Sequence, residues 1–184
     1  FDACLMANYE TAVTVAPYAR YMIASEEIEP SGGWDYKALI SAIAADRSIG
    51  GADLGRAVCD GYFEKCRLGE KDATATLSVL DLSRIQTLSA AFDQLTGKIA
   101  ADAQNVKGIQ RMASGAKNAQ KYGGSSSSEG FSNMTDLRHF AENLSGSVYQ
   151  ESSDTLLRAI DEVVLYQVYG SQKSKAGGIS FYYP

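Results

Sequence analysis

Two short blocks concentrate the residue types that attack carbonyls and hold cations. Asp2 and Cys4 stand two apart in Phe1-Asp2-Ala3-Cys4, and the stretch SEEIEPSGGWD carries Glu26, Glu27, Glu29, Trp34 and Asp35. A cysteine attacks as its thiolate, which a helix N-terminus favours through free N–H groups and the macrodipole. If Asp2 and Cys4 end a strand, they face the same side, about 6–7 Å apart. That separation suits a thiolate attacking a carbonyl while a fixed carboxylate holds the cationic end of the attached side chain. Guanidinium fits such a carboxylate bidentately, and ammonium fits it less well. Two plainer readings stay open: Cys4 as a packed small residue at a strand end, and Asp2 as the cap of the helix that follows.

The other sulfurs read differently. Cys59 and Cys66 lie seven residues apart on one face of a predicted helix. There their Cα atoms are about 10 Å apart, beyond the roughly 7 Å that a disulfide spans. Both read as small buried hydrophobes. Zinc needs Cys or His partners at short spacing, and no cysteine here has them. The single His, His139, follows Asp136, Leu137 and Arg138 and reads as a surface or half-buried helical residue.

The positioning elements follow from periodicity. Leu5, Met6, Tyr9, Val13 and Ala16 recur at helical spacing and predict a helix over 5–18, opening directly after Cys4. Residues 21–24 suit a buried strand, and the polar Pro- and Gly-containing segment after it is a loop. Asp35 can cap a helix over 36–46 with Leu39, Ile40 and Ile43 inward. A helix over 53–68 places Leu54, Val58, Tyr62 and Cys66 in register, and the alternation in 73–80 argues for a strand. A long helix starts near Ser83, with Ile85, Leu88, Phe92, Leu95 and Ile99 on one face, and continues as a polar, Gly-interrupted stretch over 102–122. Residues 123–130, GGSSSSEG, are a flexible surface loop. Helices are expected over 135–144 and 154–169, and a final strand over 179–183. Strands alternating with helices predict an α/β layered domain with a mostly parallel sheet. The first strand, helix and second strand then form a β-α-β unit whose strand ends share one rim, where such sheets hold their sites.

Composition narrows the function classes. The 184 residues are 45% hydrophobic and carry a formal charge of −5, which suits one domain with a substantial core. An acidic chain lacks the basic patches that nucleic acid binding needs, so no nucleic acid partner is expected. No apolar run reaches the roughly 18–20 residues of a membrane span. Position 1 is Phe, and the first residues resemble the middle of a folded unit, which is the pattern of a processed chain or a fragment.

The blocks FDACLMANYETA, YMIASEEIEPSGGWDY, DLRHFAENL and the terminal GGISFYYP together resemble the clostripain family of cysteine peptidases. The likeness runs from the first residue to the last, with little contribution from 102–130. Its most specific part is DACLM followed about twenty residues later by SEE-EP-GWDY. The resemblance implies a caspase-like α/β/α sandwich, with this chain, 1–184, supplying the later strands and helices of a single peptidase domain. It implies that Cys4 is the nucleophile and that Asp2 lies in the pocket selecting Arg, sometimes Lys, before the scissile bond. Trp34 and Asp35 are implied as pocket residues, with Asp35 helping Asp2. Glu26 and Glu27 are expected in networks that support the rim. Calcium, used by some members, could be held by Glu26, Glu27, Glu29 and Asp35, although no loop has EF-hand spacing. No other cofactor is implied.

A cysteine peptidase needs a His to share the thiol proton and protonate the leaving amine. The separation of Cys4 and His139 resembles that in papain-like enzymes, but the signature of those enzymes around the nucleophile is missing. In the clostripain family the catalytic His lies upstream of the Cys, beside a Gly that helps form the oxyanion hole. The resemblance therefore implies an N-terminal light chain of the same protein, bearing that His, as partner. It also implies a peptide or protein substrate with Arg or Lys before the cut, and a secreted or cell-envelope bacterial location. Arg111, Lys117 and Lys121, just ahead of the GGSSSSEG segment, would suit a processing cut. The alternative is a peptidase-derived binding module that keeps the pocket without turnover.

Overall fold

The computed structural model describes residues 1–126 and 130–184. Within the segment read as a flexible loop, 127–129 lie outside the described residues, and Ser125–Ser126 (β4) pairs with Gly130–Phe131 (β5) as a two-stranded ladder. The main elements in chain order are α1 (Tyr9–Val15), β1 (Tyr21–Ala24), α2 (Tyr36–Ala45), α3 (Gly51–Leu68), β2 (Thr76–Asp81), α4 (Ile85–Asp102), α5 (Val106–Asn118) and β3 (Lys121–Tyr122). After β4 and β5 come β6 (Met134–Asp136), α6 (Leu137–Leu144), α7 (Gln150–Val163), β7 (Val164–Tyr169) and β8 (Ser180–Tyr182).

Strand β2 is the centre of the fold. It lies between β1 and β7 and is buried along its whole length. Leu77 and Val79 face α3, where Val58, Cys59, Tyr62 and Cys66 meet them. Leu80 and the β1 residues Met22 and Ala24 join the larger core built with α4, α6 and α7. Helices thus cover both faces of the sheet. The register of α3 agrees with its pattern: Val58, Tyr62 and Cys66 are buried and Leu54 is half-buried. On α2 only Leu39 packs inward, while Ile40 and Ile43 are exposed.

The mixed α/β character stands, but the mostly parallel sheet does not. Among the described residues every strand pair is antiparallel, from Ala24 opposite Ser78 to Thr76 opposite Tyr169, and the one parallel contact is an isolated bridge between Asn8 and Ser180. The reason is the number of helices between strands. One crossover helix returns the chain to the same sheet end and makes the next strand parallel. Two helices, α2 and α3, separate β1 from β2, and their short connection packs them side by side. The chain therefore re-enters from the opposite end. The sequence pattern predicts β7 as the tail of a helix over 154–169. Instead α7 passes directly into it at Val164, and β7 then borders β2. The β-branched and aromatic run VLYQVY carries that signal.

The start of the chain also differs. Helix α1 begins at Tyr9, because Asn8 Oδ1 accepts from the Thr11 N–H at 2.7 Å and Leu5 takes a positive φ of 63°. Residues 1–7 stay irregular, tied by the Ala7 N–H to Ser25 O and the Leu5 N–H to Glu27 O. Cys4 is thus neither at a helix N-terminus nor on a strand with Asp2. Leu5 and Met6 fit the helical pattern because they are apolar at the right spacing, but their packing partners are core residues of other elements.

Candidate active site

The site is built where residues 1–7 run beside the segment leaving β1. Ser25, Glu26 and Glu27 are buried there, and Thr76 of β2 holds them. The Thr76 hydroxyl accepts from the Glu26 and Glu27 N–H groups, both at 3.1 Å, and lies 3.0 Å from Ser25 Oγ. The two tethers to Leu5 and Ala7 then set Cys4 beside this turn. Cys4 is exposed, and its Sγ accepts from the Glu29 N–H at 3.3 Å.

Asp2 is also exposed and faces the loop that leads to α2. Its Oδ2 accepts from the Tyr36 hydroxyl at 2.9 Å and from the Trp34 N–H at 3.3 Å. Partial burial opposes its charge, but these two bonds, together with Glu29 and the Phe1 amino group, hold the carboxyl below its ordinary value. No Lys or Arg forms an ion pair with Asp2 among the described residues. Gly33 sits at φ +60°, and a Cβ there would lie 2.9 Å from Asp2 Oδ2, so the loop passes the carboxylate only as glycine. Trp34 links three groups. Its N–H serves Asp2, its ring N–H donates to Glu29 Oε1 at 3.4 Å, and its carbonyl accepts from Lys65 Nζ at 3.1 Å. Lys65 also donates to Gly32 O at 2.6 Å, which clamps the loop to α3.

The structure thus brings Asp2, Cys4 and Trp34 together around Glu29. Asp35 lies at the far end of the loop, where it caps α2 by accepting from the Ala38 N–H at 3.0 Å. Glu29, Tyr36 and Lys65 join the site, and of these only Glu29 is expected from the sequence to bind anything, as one of four acids that could hold calcium. Glu29 stands inside the same polar block as Trp34, so proximity was its signal. Lys65 had none, because its helix reads as an ordinary charged face. A cleft of about 780 Å³ opens alongside, lined among others by Glu27, Glu29, Thr74, Lys121, Gly123 and Lys173. The four acids considered for calcium do not converge: Glu27 pairs with Lys173 at 2.5 Å, Asp35 caps, and Glu26 turns inward.

Glu26 is fully buried and faces a second buried acid, Asp136. Glu26 Oε2 accepts from the Gly178 N–H at 3.1 Å, while Asp136 accepts from Tyr122 OH at 2.7 Å, Gly177 N–H at 2.6 Å and His139 N–H at 2.7 Å. Burial, and then Asp136 itself, raises Glu26 well above its ordinary value of 4.5, and burial also raises Asp136. The two carboxyls titrate as a pair, and burial keeps a proton on that pair above the ordinary carboxylate range. Both groups bind protons more tightly folded than unfolded. Their stabilisation is full below the ordinary carboxylate range and is lost as pH rises through the folded values. Glu26→Gln supplies a permanent donor in place of that proton. It should flatten the fall of Tm above about pH 5 and raise Tm at pH 8 by roughly 2–4 °C, about 1 kcal/mol for a domain of this size. Thermal melts across pH read this directly, and a variant that melts lower at pH 8 would rule out the shared proton.

The other two thiols and the His lie away from this site. Cys59 and Cys66 are buried on α3, and burial pushes the Cys59 thiol up to about 12. His139 is half-buried on α6, and its Nδ1 accepts from the Gln120 N–H at 3.1 Å. His139→Ala in the complete protein should therefore cost one hydrogen bond, about 1 kcal/mol of stability, and leave turnover within about twofold. A collapse of rate in a folded variant would place the base here after all.

Over residues 1–182 the sequence matches the family model described as Clostripain family. No curated protein matches the chain. Among solved structures, an inactive zymogen C11 protease from Parabacteroides distasonis is similar with a TM-score of 0.73 at 16% identity, covering 100% of this chain and 51% of that one. A clostripain from Bacteroides thetaiotaomicron in complex with the peptide inhibitor BTN-VLTK-AOMK has a TM-score of 0.68 at 15% identity, covering 98% of this chain and 75% of that one. A secreted C11 cysteine protease from the same organism, in complex with an irreversible peptide inhibitor, has a TM-score of 0.68 at 17% identity, covering 100% and 51%. At these identities the structural likeness concerns the fold. The chain spans about half the length of the first of these relatives.

Proposed function

Because this chain belongs to the clostripain family, we propose that it supplies the nucleophile and the basic-side-chain pocket of a cysteine endopeptidase that cuts after Arg or Lys. The observation that carries the reading is the pairing of an exposed thiol, Cys4, with an exposed carboxylate, Asp2, on one hydrogen-bonded loop system. Asp2 is already oriented by two donors and pairs with no Lys or Arg among the described residues, so it is open to a guanidinium or ammonium group. The peptide inhibitor in complex with one similar protease, BTN-VLTK-AOMK, has Lys as the last residue of its VLTK segment.

In this proposal Cys4 Sγ adds to the carbonyl carbon while a His on an upstream polypeptide of the same protein takes the thiol proton. The Cys4 N–H and an upstream Gly N–H hold the oxyanion. The His then protonates the leaving amine, and water, deprotonated by the same His, cleaves the thioester. Asp2 binds the basic side chain, Trp34 forms the pocket wall that ties Asp2 to Glu29, and Asp35 anchors the pocket loop at the N-terminus of α2. Secretion or placement in a bacterial cell envelope belongs to the same proposal, and one similar structure is that of a secreted protease.

The test is labelling of the complete protein with peptidyl electrophiles. A reagent bearing Arg should modify Cys4, and its Glu counterpart should not. Failure of both reagents in folded, complete protein would favour a binding module without turnover.

A further inference from the structure

The acid that adjoins both Cys4 and Asp2 has no task in that scheme. Glu29 is 9% exposed. Its N–H donates to Cys4 Sγ, and its Oε1 accepts from the Trp34 ring. Its Oε2 is buried, and no donor among the described residues reaches it. A buried carboxylate oxygen left without a donor is costly unless it carries a proton or meets a cation. Trp34 ties this carboxyl to Asp2, its ring N–H donating to Glu29 and its main-chain N–H to Asp2, and Glu29 lines the open cleft.

We propose that Glu29 is the second acid of the pocket for the basic side chain, its Oε2 accepting from the substrate's guanidinium or ammonium group while Asp2 holds the other side. This rests on the reading of Asp2 and Cys4 given above and extends it by naming the second anion. Asp35 is engaged in capping α2, which leaves Glu29 as the acid beside Asp2 with an unused oxygen. Two adjacent carboxyls in a half-dry site resist ionising together, so the second proton leaves only at higher pH. Burial, and then Asp2, pushes Glu29 up to about 7, whereas Asp2 lies low, so the shared proton sits on Glu29. An entering cation displaces that proton to solvent, and Glu29 becomes a carboxylate paired with it. Binding of a basic side chain therefore strengthens as pH rises through about 7.

The groups facing Glu29 are Asp2, the Cys4 thiol and the Phe1 amino group on the first segment, Tyr36 at the start of α2, and Tyr62 and Cys66 on α3. Tyr36, Tyr62 and Cys66 are all raised from their ordinary values and stay neutral near pH 7. The Cys4 and Phe1 groups persist when Glu29 is replaced, so a pH effect of theirs survives the substitution.

The experiment measures second-order rates of Cys4 labelling in the complete protein by two peptidyl acyloxymethyl ketones. They differ only in Arg or norleucine next to the ketone. Their rate ratio cancels ionisation of the thiol and its base, which both share. The ratio should climb about tenfold between pH 6 and 8, as expected for one group titrating near 7. In Glu29→Gln, which keeps an acceptor for the Trp34 ring, the ratio should be flat and low. Should that variant not fold, Glu29→Asp should move the rise to a different pH. A flat ratio in the unsubstituted protein, or a slope that survives in Glu29→Gln, overturns the role of Glu29 while leaving an Arg preference intact. An Arg reagent no faster than the norleucine one at any pH, or an unlabelled Cys4, overturns the peptidase reading and this inference together.

Discussion

Asp2→Ala is expected to lower kcat/KM for a peptide with Arg before the cut by roughly 10²–10³ and to change the norleucine counterpart by no more than about twofold. The substitution removes the low-lying carboxylate while leaving its donors, Tyr36 OH and the Trp34 N–H, beside solvent, where water satisfies them. The loss is then the charge pair itself, and it falls only on substrates that bring a cation. Asp2→Asn separates charge from geometry. The amide oxygen still accepts from both donors, so the loop stays in place, and the Arg penalty should remain close to that of Ala. Equal losses on both substrates would mean that Asp2 supports Cys4 rather than the substrate.

Cys4→Ala should reduce turnover of any substrate by on the order of 10⁴ or more, because no other group can form the acyl intermediate. The three free thiols differ sharply in access: Cys4 is exposed, whereas Cys59 and Cys66 are 0% and 5% exposed against β2. Alkylation of the native protein should therefore block activity with modification at Cys4 alone, and peptide mapping by mass spectrometry reads the site. Cys59→Ala should leave the rate unchanged and cost about 1–2 kcal/mol of stability through its small cavity. Retained turnover in Cys4→Ala would end the proposed chemistry.

Much of the site was legible because its residues lie in two short blocks. Asp2, Cys4 and Trp34 meet, and Asp35 caps α2 as its position suggested. What brings them together differs from what periodicity predicts. A strand carrying Asp2 and Cys4 and a helix opening at Cys4 were expected. An irregular segment tethered to Ser25 and Glu27 does that work. Glu29 went unread as a pocket residue because a carboxylate in a polar loop is ordinarily solvated, and only packing by Trp34 and residues of the first segment makes it a buried acid.

What the chain determined by itself is local. The Asp35 cap, the apolar face of α3 and the composition of the two chemical blocks depend on residues within a few positions of one another, and such interactions are written in order along the sequence. What only the tertiary structure decided is which distant segments pair and which polar groups lose their water. The direction of β2 depends on two helices packing as a pair, the place of β7 on its ladder with β2, and the raised proton affinity of Glu26 and Glu29 on burial first and then on acids brought against them by the fold. Burial and charge proximity are sums over neighbours in space, so no window of sequence contains them.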